Sequence, residues 1–281
     1  MEGRDFQEIK YEKETETGIV LITLNTPKRK NALSPYTFLE LHEAVERMEA
    51  DEGAKVMILT GAKDLDAADP TREAFSSGGY FNLPAIMALP AEIKAQIDFT
   101  DIAQKKLTLK MWRFEKPVIA AVNGLAVGAA FTMCLSCADL IYASEHAWVQ
   151  LPFVHLGILP EFASSYLLPR LVGFQRAKEM LFFGERIDAR QLYEMGLVNK
   201  VLPHEQLLSY AREMALRLVP PQGAALAVRL IKKACQEPLA ETLAKSLEAE
   251  NDGLNRAFNT DDFREAIKAR FEKRSPRFQG K

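Results

Sequence analysis

Lys116-Pro117-Val118-Ile119-Ala120-Ala121-Val122-Asn123-Gly124-Leu125-Ala126-Val127-Gly128 is the stretch that decides the fold. Residues 118–122 are continuously apolar, too short for a helix and without polar alternation, as in a strand buried on both faces of a largely parallel sheet. Asn123-Gly124 is turn chemistry, and a small-residue helix begins near Ala129. The apolar run from 117 to 138 has the length of a bilayer span. Asn123-Gly124 breaks it, however, and Thr132, Ser136 and Asp139 interrupt or bound the rest. A buried strand-turn-helix is the better reading.

Working outward, residues 18–24 form a β-branched run after a polar, alternating segment around Ile9 and Tyr11, which predicts an opening hairpin. Ser34-Pro35 predicts an N-cap followed by Pro at the first helical position. Phe38, Leu41, Val45 and Met48 then recur at helical spacing, up to a stop near residues 51–53. Residues 56–60 repeat the pattern of a short buried strand. Residues 63–72 read as a polar, Asp-rich surface loop, and 91–114 as a long helical segment. Strands and helices alternating at this spacing imply βαβ crossovers and an α/β fold. From Phe174 onward helices predominate, at 176–183, 189–195, 204–218, 224–235, 239–258 and 261–273. The expected organisation is an α/β core over 1–203 and a helical region over 204–281.

The 281 residues carry a net charge of -2, with 48% hydrophobic and 26% charged side chains. This is a globular composition. No basic excess argues for nucleic acid, and no strong field for a membrane surface. Three cysteines are too few for a disulfide framework and favour a reducing compartment. Cys134 and Cys137 form a C-x-x-C, but no second ligand pair accompanies it, so both read as small core residues. The acidic opening Met1-Glu2-Gly3-Arg4-Asp5 has no apolar h-region, and Phe278-Gln279-Gly280-Lys281 is not a peroxisomal tripeptide. A cytoplasmic location is expected.

Phosphate-loop, dinucleotide, serine-hydrolase and zinc-protease motifs are absent. No metal site is expected. Two glycine-centred turns remain, each after a buried strand. One is Phe75-Ser76-Ser77-Gly78-Gly79, leading to an expected short helix over 80–86; the other is the turn ending at Gly128. Backbone N–H groups at helix starts are unpaired and carry the positive dipole end. Two such turns facing one point would hold an oxyanion, whereas either alone is an ordinary tight turn.

These residues carry a resemblance. Lys30-Asn31-Ala32-Leu33, Phe75-Ser76-Ser77-Gly78, residues 116–124, Asp139-Leu140-Ile141-Tyr142-Ala143, Leu156-Gly157 and Glu272-Lys273-Arg274 occur in the order and spacing of the crotonase (enoyl-CoA hydratase/isomerase) superfamily. The resemblance spans nearly the whole chain. It implies a crotonase-like fold of repeated βαβ units, assembled as a trimer or a dimer of trimers, with an acyl-CoA as substrate and no separate cofactor. The thioester oxygen would accept hydrogen bonds from the N–H groups of Gly79 and Ala129. One such donor is worth ~3 kcal/mol of transition-state stabilisation.

Typical hydratases of that family carry two glutamates. The matching regions here read Phe131-Thr132-Met133 and Leu151-Pro152-Phe153, with neither glutamate. Residues 159–166 instead resemble the segment of 3,2-enoyl-CoA isomerases that bears a single catalytic glutamate, which implies Glu161 as a proton shuttle. As a bare sequence feature, Glu161 also suits the acidic start of the following helix. Other crotonase reactions, and binding of acyl-CoA without turnover, stay open. By the same resemblance Lys30 and Ala32 lie beside the adenine, Phe271 and Lys273 reach CoA from a neighbouring subunit of the trimer, and Ser77, within the first oxyanion turn, contacts the substrate. Tyr80, which replaces the usual Asp, would line the acyl pocket with Leu83, Phe153 and Tyr166.

Overall fold

The computed structural model describes residues 5–64 and 69–281. Residues 1–4 and the middle of the 63–72 loop lie outside these. The chain opens with the hairpin β1 (Ile9–Lys13) and β2 (Ile19–Leu24), then α1 (Pro35–Ala50) and β3 (Val56–Gly61). The Ser34 hydroxyl caps α1 by accepting from the Tyr36 and Thr37 N–H groups. Next come β4 (Ala74–Ser76), α2 (Leu83–Met87), α3 (Ala91–Lys94), α4 (Lys105–Arg113), β5 (Val118–Val122), β6 (Leu125–Val127) and α5 (Ala129–Cys137). β7 (Leu140–Ser144), β8 (Trp148–Gln150), α6 (Ser164–Val172), α7 (Phe174–Phe183), β9 (Arg186–Asp188), α8 (Ala189–Glu194) and β10 (Lys200–Leu202) complete the sheets. Four helices follow: α9 (Leu207–Leu216), α10 (Ala225–Gln236), α11 (Ala240–Phe258) and α12 (Asp261–Phe271).

Two sheets result. The larger runs β1-β2-β3-β5-β7-β10 and is parallel apart from the opening hairpin; the smaller runs β4-β6-β8-β9. The smaller sheet is a departure from the sequence reading, since three-residue strands carry no periodicity. Asn123 makes the step between the sheets. Its Oδ1 accepts from the Gly61 N–H at 3.1 Å, and its Nδ2 donates to Glu73 at 3.0 Å. Gly124 follows because a Cβ there would lie 2.0 Å from the Glu73 carbonyl oxygen.

The expected helix over 91–114 is broken. Asp98 takes the N–H and hydroxyl of Thr100, and Asp101 takes the N–H groups of Lys105 and Lys106, so α4 starts only at Lys105. Short acidic side chains compete for helix donors in this way. α9 packs Leu207, Ala211 and Ala215 onto Ile58, Ile119 and Tyr142 of the large sheet, so the helical region expected from residue 204 begins on the core itself. No helix among the described residues is long and apolar enough to cross a membrane.

Candidate active site

A cavity of about 540 Å³ opens where β4 and β6 end. These strands are parallel neighbours, so their following turns emerge side by side. In the first turn nearly every donor is used. The Ser77 N–H bonds Lys30 O, the Gly78 N–H bonds the Ser76 hydroxyl, and the Tyr80 N–H bonds Leu33 O. Among the described residues the Gly79 N–H has no acceptor in the chain. α2 begins only at Leu83, capped by Asn82, so this donor is presented by the bridge to Leu33 rather than by the expected helix start. In the second turn the Gly128 N–H is taken by Gln150 O, while Ala129 is the first residue of α5 and its N–H is one of the helix's orphan donors. Both residues line the cavity.

The remaining wall is apolar, with Phe38, Leu107, Phe153, Ile158, Leu254 and Phe258 among its residues. Among the described residues three carboxylates line it. Asp98 is held by Lys106 at 2.8 Å and Asp101 caps α4. Glu161 has no partner side chain among the described residues and is 8% exposed. Burial, with the repulsion of Glu250 added, pushes its carboxyl up to about 8. A carboxyl so placed can give and take a proton near neutral pH. Glu161 sits at the head of a turn through Phe162 and Ala163, whose φ values are 61° and 56°. Such left-handed conformations are rare outside glycine and concentrate at functional sites.

An open apolar pocket with two unpaired main-chain donors and one buried carboxylate suits enolate chemistry on an acyl thioester. The model of the enoyl-CoA hydratase/isomerase family matches residues 14–281. The chain belongs to that family. It is 35% identical over 268 residues to the crotonyl-CoA hydratase of Syntrophomonas wolfei subsp. wolfei, covering 95% of this chain and 97% of the relative. It is also 32% identical over 232 residues to the enoyl-CoA delta isomerase 2 of Rattus norvegicus, covering 80% of this chain and 55% of the relative. A solved enoyl-CoA hydratase/isomerase from Pseudoalteromonas atlantica T6c superimposes with a TM-score of 0.82 at 26% identity, covering 97% of this chain and 100% of that one. Hydratase names outnumber isomerase names among the similar relatives.

Of the residues singled out in the sequence, Gly79, Ala129, Glu161, Ser77, Tyr80 and Phe153 line this family cavity together. The Tyr80 ring is backed by Arg29, whose guanidinium lies 4.4 Å from the ring centroid and pairs with Glu8. Two placements differ from expectation. Tyr166 is buried against Trp112, Leu243 and Leu247, with Arg170 stacked on it at 3.6 Å, so it belongs to the core. Leu83, the first residue of α2 after its cap Asn82, is 66% exposed and is not among the residues lining the cavity. Phe271 and Lys273 are exposed at the end of α12 and outside this cavity, which α12 itself reaches through Arg270. Lys30 offers its carbonyl to the Ser77 N–H of the first turn, and Ala32 is buried.

Proposed function

We propose that this chain moves the double bond of a 3-enoyl-CoA into conjugation with the thioester. The observation that carries this reading is that Glu161 is the one cavity carboxylate, among the described residues, that is neither ion-paired nor capping a helix. The two regions where typical hydratases of the family carry glutamates support it, since neither holds one here. Thr132 is fully buried with its hydroxyl 3.3 Å from the Gly128 carbonyl, and Phe153 is part of the apolar wall.

In this mechanism the ionised Glu161 removes a proton from C2. The C–H electron pair moves onto the thioester oxygen as a dienolate, and that charge is met by the N–H groups of Gly79 and Ala129. The protonated Glu161 then delivers the same proton to C4, the electrons return, and the C2=C3 double bond remains. No atom is gained or lost. The apolar wall keeps water from the dienolate and confines the acyl chain.

The experiment offers purified protein a 3-enoyl-CoA and follows the rise of conjugated-thioester absorbance together with the product mass. Unchanged mass with new conjugation is the expected result. A mass gain of one water would replace the reading with hydration, the activity in most of the relatives' names. Assembly as a trimer or dimer of trimers belongs to the same reading: Leu226, Leu230 and Ile231 expose a contiguous apolar face on α10 that a second copy would cover.

A further inference from the structure

Glu250 lies within α11 and is 1% exposed, a rare setting for a carboxylate. Its Oε2 accepts from the Ala163 N–H at 2.8 Å, and its Oε1 from the Ser165 N–H at 2.8 Å and the Ser165 hydroxyl at 2.6 Å. α6 has no cap of its own, because its N-cap position is Ala163, in a left-handed conformation and without a polar side chain. Glu250 supplies that cap from a helix 87 residues further along the chain. The donors it takes belong to the second and fourth residues after Glu161, across the left-handed turn through Phe162 and Ala163. The same turn is tied on its other side by the Phe162 N–H to Ala103 O and by the Ser164 hydroxyl to Glu161 O.

We infer that Glu250 is a positioning residue for the reaction: it fixes the turn that aims Glu161 at the two main-chain donors and stands behind Glu161 as a second buried negative charge. The inference rests on Glu161 being the proton shuttle. A mere helix cap could be any acceptor; a carboxylate adds charge at a place where charge is costly. The other charged and titratable groups around the pair are committed elsewhere or lie at the cavity wall. Lys105 of α4 is paired with Glu248, and Arg170 of α6 lies over Tyr166. Asp98 holds Lys106, Asp101 caps α4, and His42, Tyr80 and Arg270 stand at the wall. Among the described residues Glu250 is the charged group whose repulsion bears on Glu161. Glu250 in turn is pushed up by burial and pulled down by the donors from Ser165 and Ala163, so the two carboxyls titrate as a coupled pair.

The test reads Glu161 directly. Protein labelled with ¹³C at the glutamate carboxyl carbons is titrated by NMR, with Glu161→Gln identifying the Glu161 signal. In Glu250→Gln, which keeps an acceptor and loses the charge, the Glu161 midpoint falls by about one pH unit or more. In Ser165→Ala, which removes one donor and leaves both carboxylates, it moves the same way by less. The acid limb of the kcat profile on a 3-enoyl-CoA follows the midpoint, and Glu250→Ala lowers kcat by more than it raises KM. A Glu161 midpoint unchanged in both Glu250→Gln and Ser165→Ala overturns the inference whether or not the protein isomerises. Full isomerase activity in Glu161→Gln, with the midpoint still shifting in Glu250→Gln, defeats the proton-shuttle reading alone.

Discussion

Replacing Gly78 by alanine strikes the joint between the two oxyanion turns. Gly78 has φ +83°, and an added Cβ would stand 2.3 Å from the Val127 carbonyl oxygen and 3.6 Å from the Ala129 nitrogen. An ordinary contact begins near 3.4 Å, so the two strands must part by roughly 1 Å, and the Gly79 N–H moves with its neighbour. A misplacement of that size costs about 100-fold, and complete loss of one donor roughly 100- to 1000-fold in kcat. The left-handed backbone adds about 1–2 kcal/mol of destabilisation on alanine, which lowers Tm by roughly 2–4 °C at this size. Gly79→Ala is the matched control: its Cβ meets only the Phe81 ring, at 3.3 Å, and the N–H is retained. The assay is the rate of thioester conjugation with calorimetry on both variants. A Gly78→Ala protein with kcat within about threefold of the parent, despite a lowered Tm, would show that the approach of the two turns does not set the oxyanion site.

Three further outcomes are expected. Glu161→Gln lowers kcat by about 100- to 10,000-fold. The wild-type carboxyl rises from 4.5 to about 8 on folding, so its contribution to stability is intact below 4.5 and lost as pH rises toward 8; the Gln variant therefore gains Tm over wild type progressively across that window, by calorimetry. Asn123→Ala strips an acceptor from the Gly61 N–H and a donor from Glu73. It costs about 1–3 kcal/mol in urea unfolding, with m unchanged. Cys134 and Cys137 are buried, and burial pushes both thiols up, Cys137 to about 12, while Cys235 is exposed. A thiol reagent should titrate one group in the native protein and three in denaturant.

The long-range order of this fold was legible where residues act locally. Residues 118–122 and 56–60 read as buried strands because continuous apolar runs of that length have few other homes, and Ser34-Pro35 marked the start of α1 to the residue. β4, β6, β8 and β9 were not legible, because each is three residues long and is defined by its neighbours rather than by its own pattern. The break at 95–104 was written in Asp98 and Asp101, but only as a competition between side-chain and main-chain acceptors that helical periodicity outweighed. The cavity-lining role of Phe153 was implied by the family resemblance; that of Leu254 and Phe258 was not legible, since α11 reaches the cavity through tertiary packing. Glu250 is the clearest case. Nothing around it in sequence distinguishes it from an exposed helix glutamate, and its place beside Glu161 exists only after folding.

The two donors at Gly79 and Ala129 belong to the main chain, and this has a consequence for how the protein will respond to mutagenesis. A substitution scan reports side chains. Exchanging Ala129 for serine or glycine leaves its N–H where it was, and only proline deletes it. Under the proposed mechanism such a scan would therefore credit Glu161 with nearly all of the catalysis and pass over the two N–H groups that meet the dienolate charge. Under the same mechanism side chains around the cavity can be traded for new chemistry while the anion-binding pair stays with the backbone.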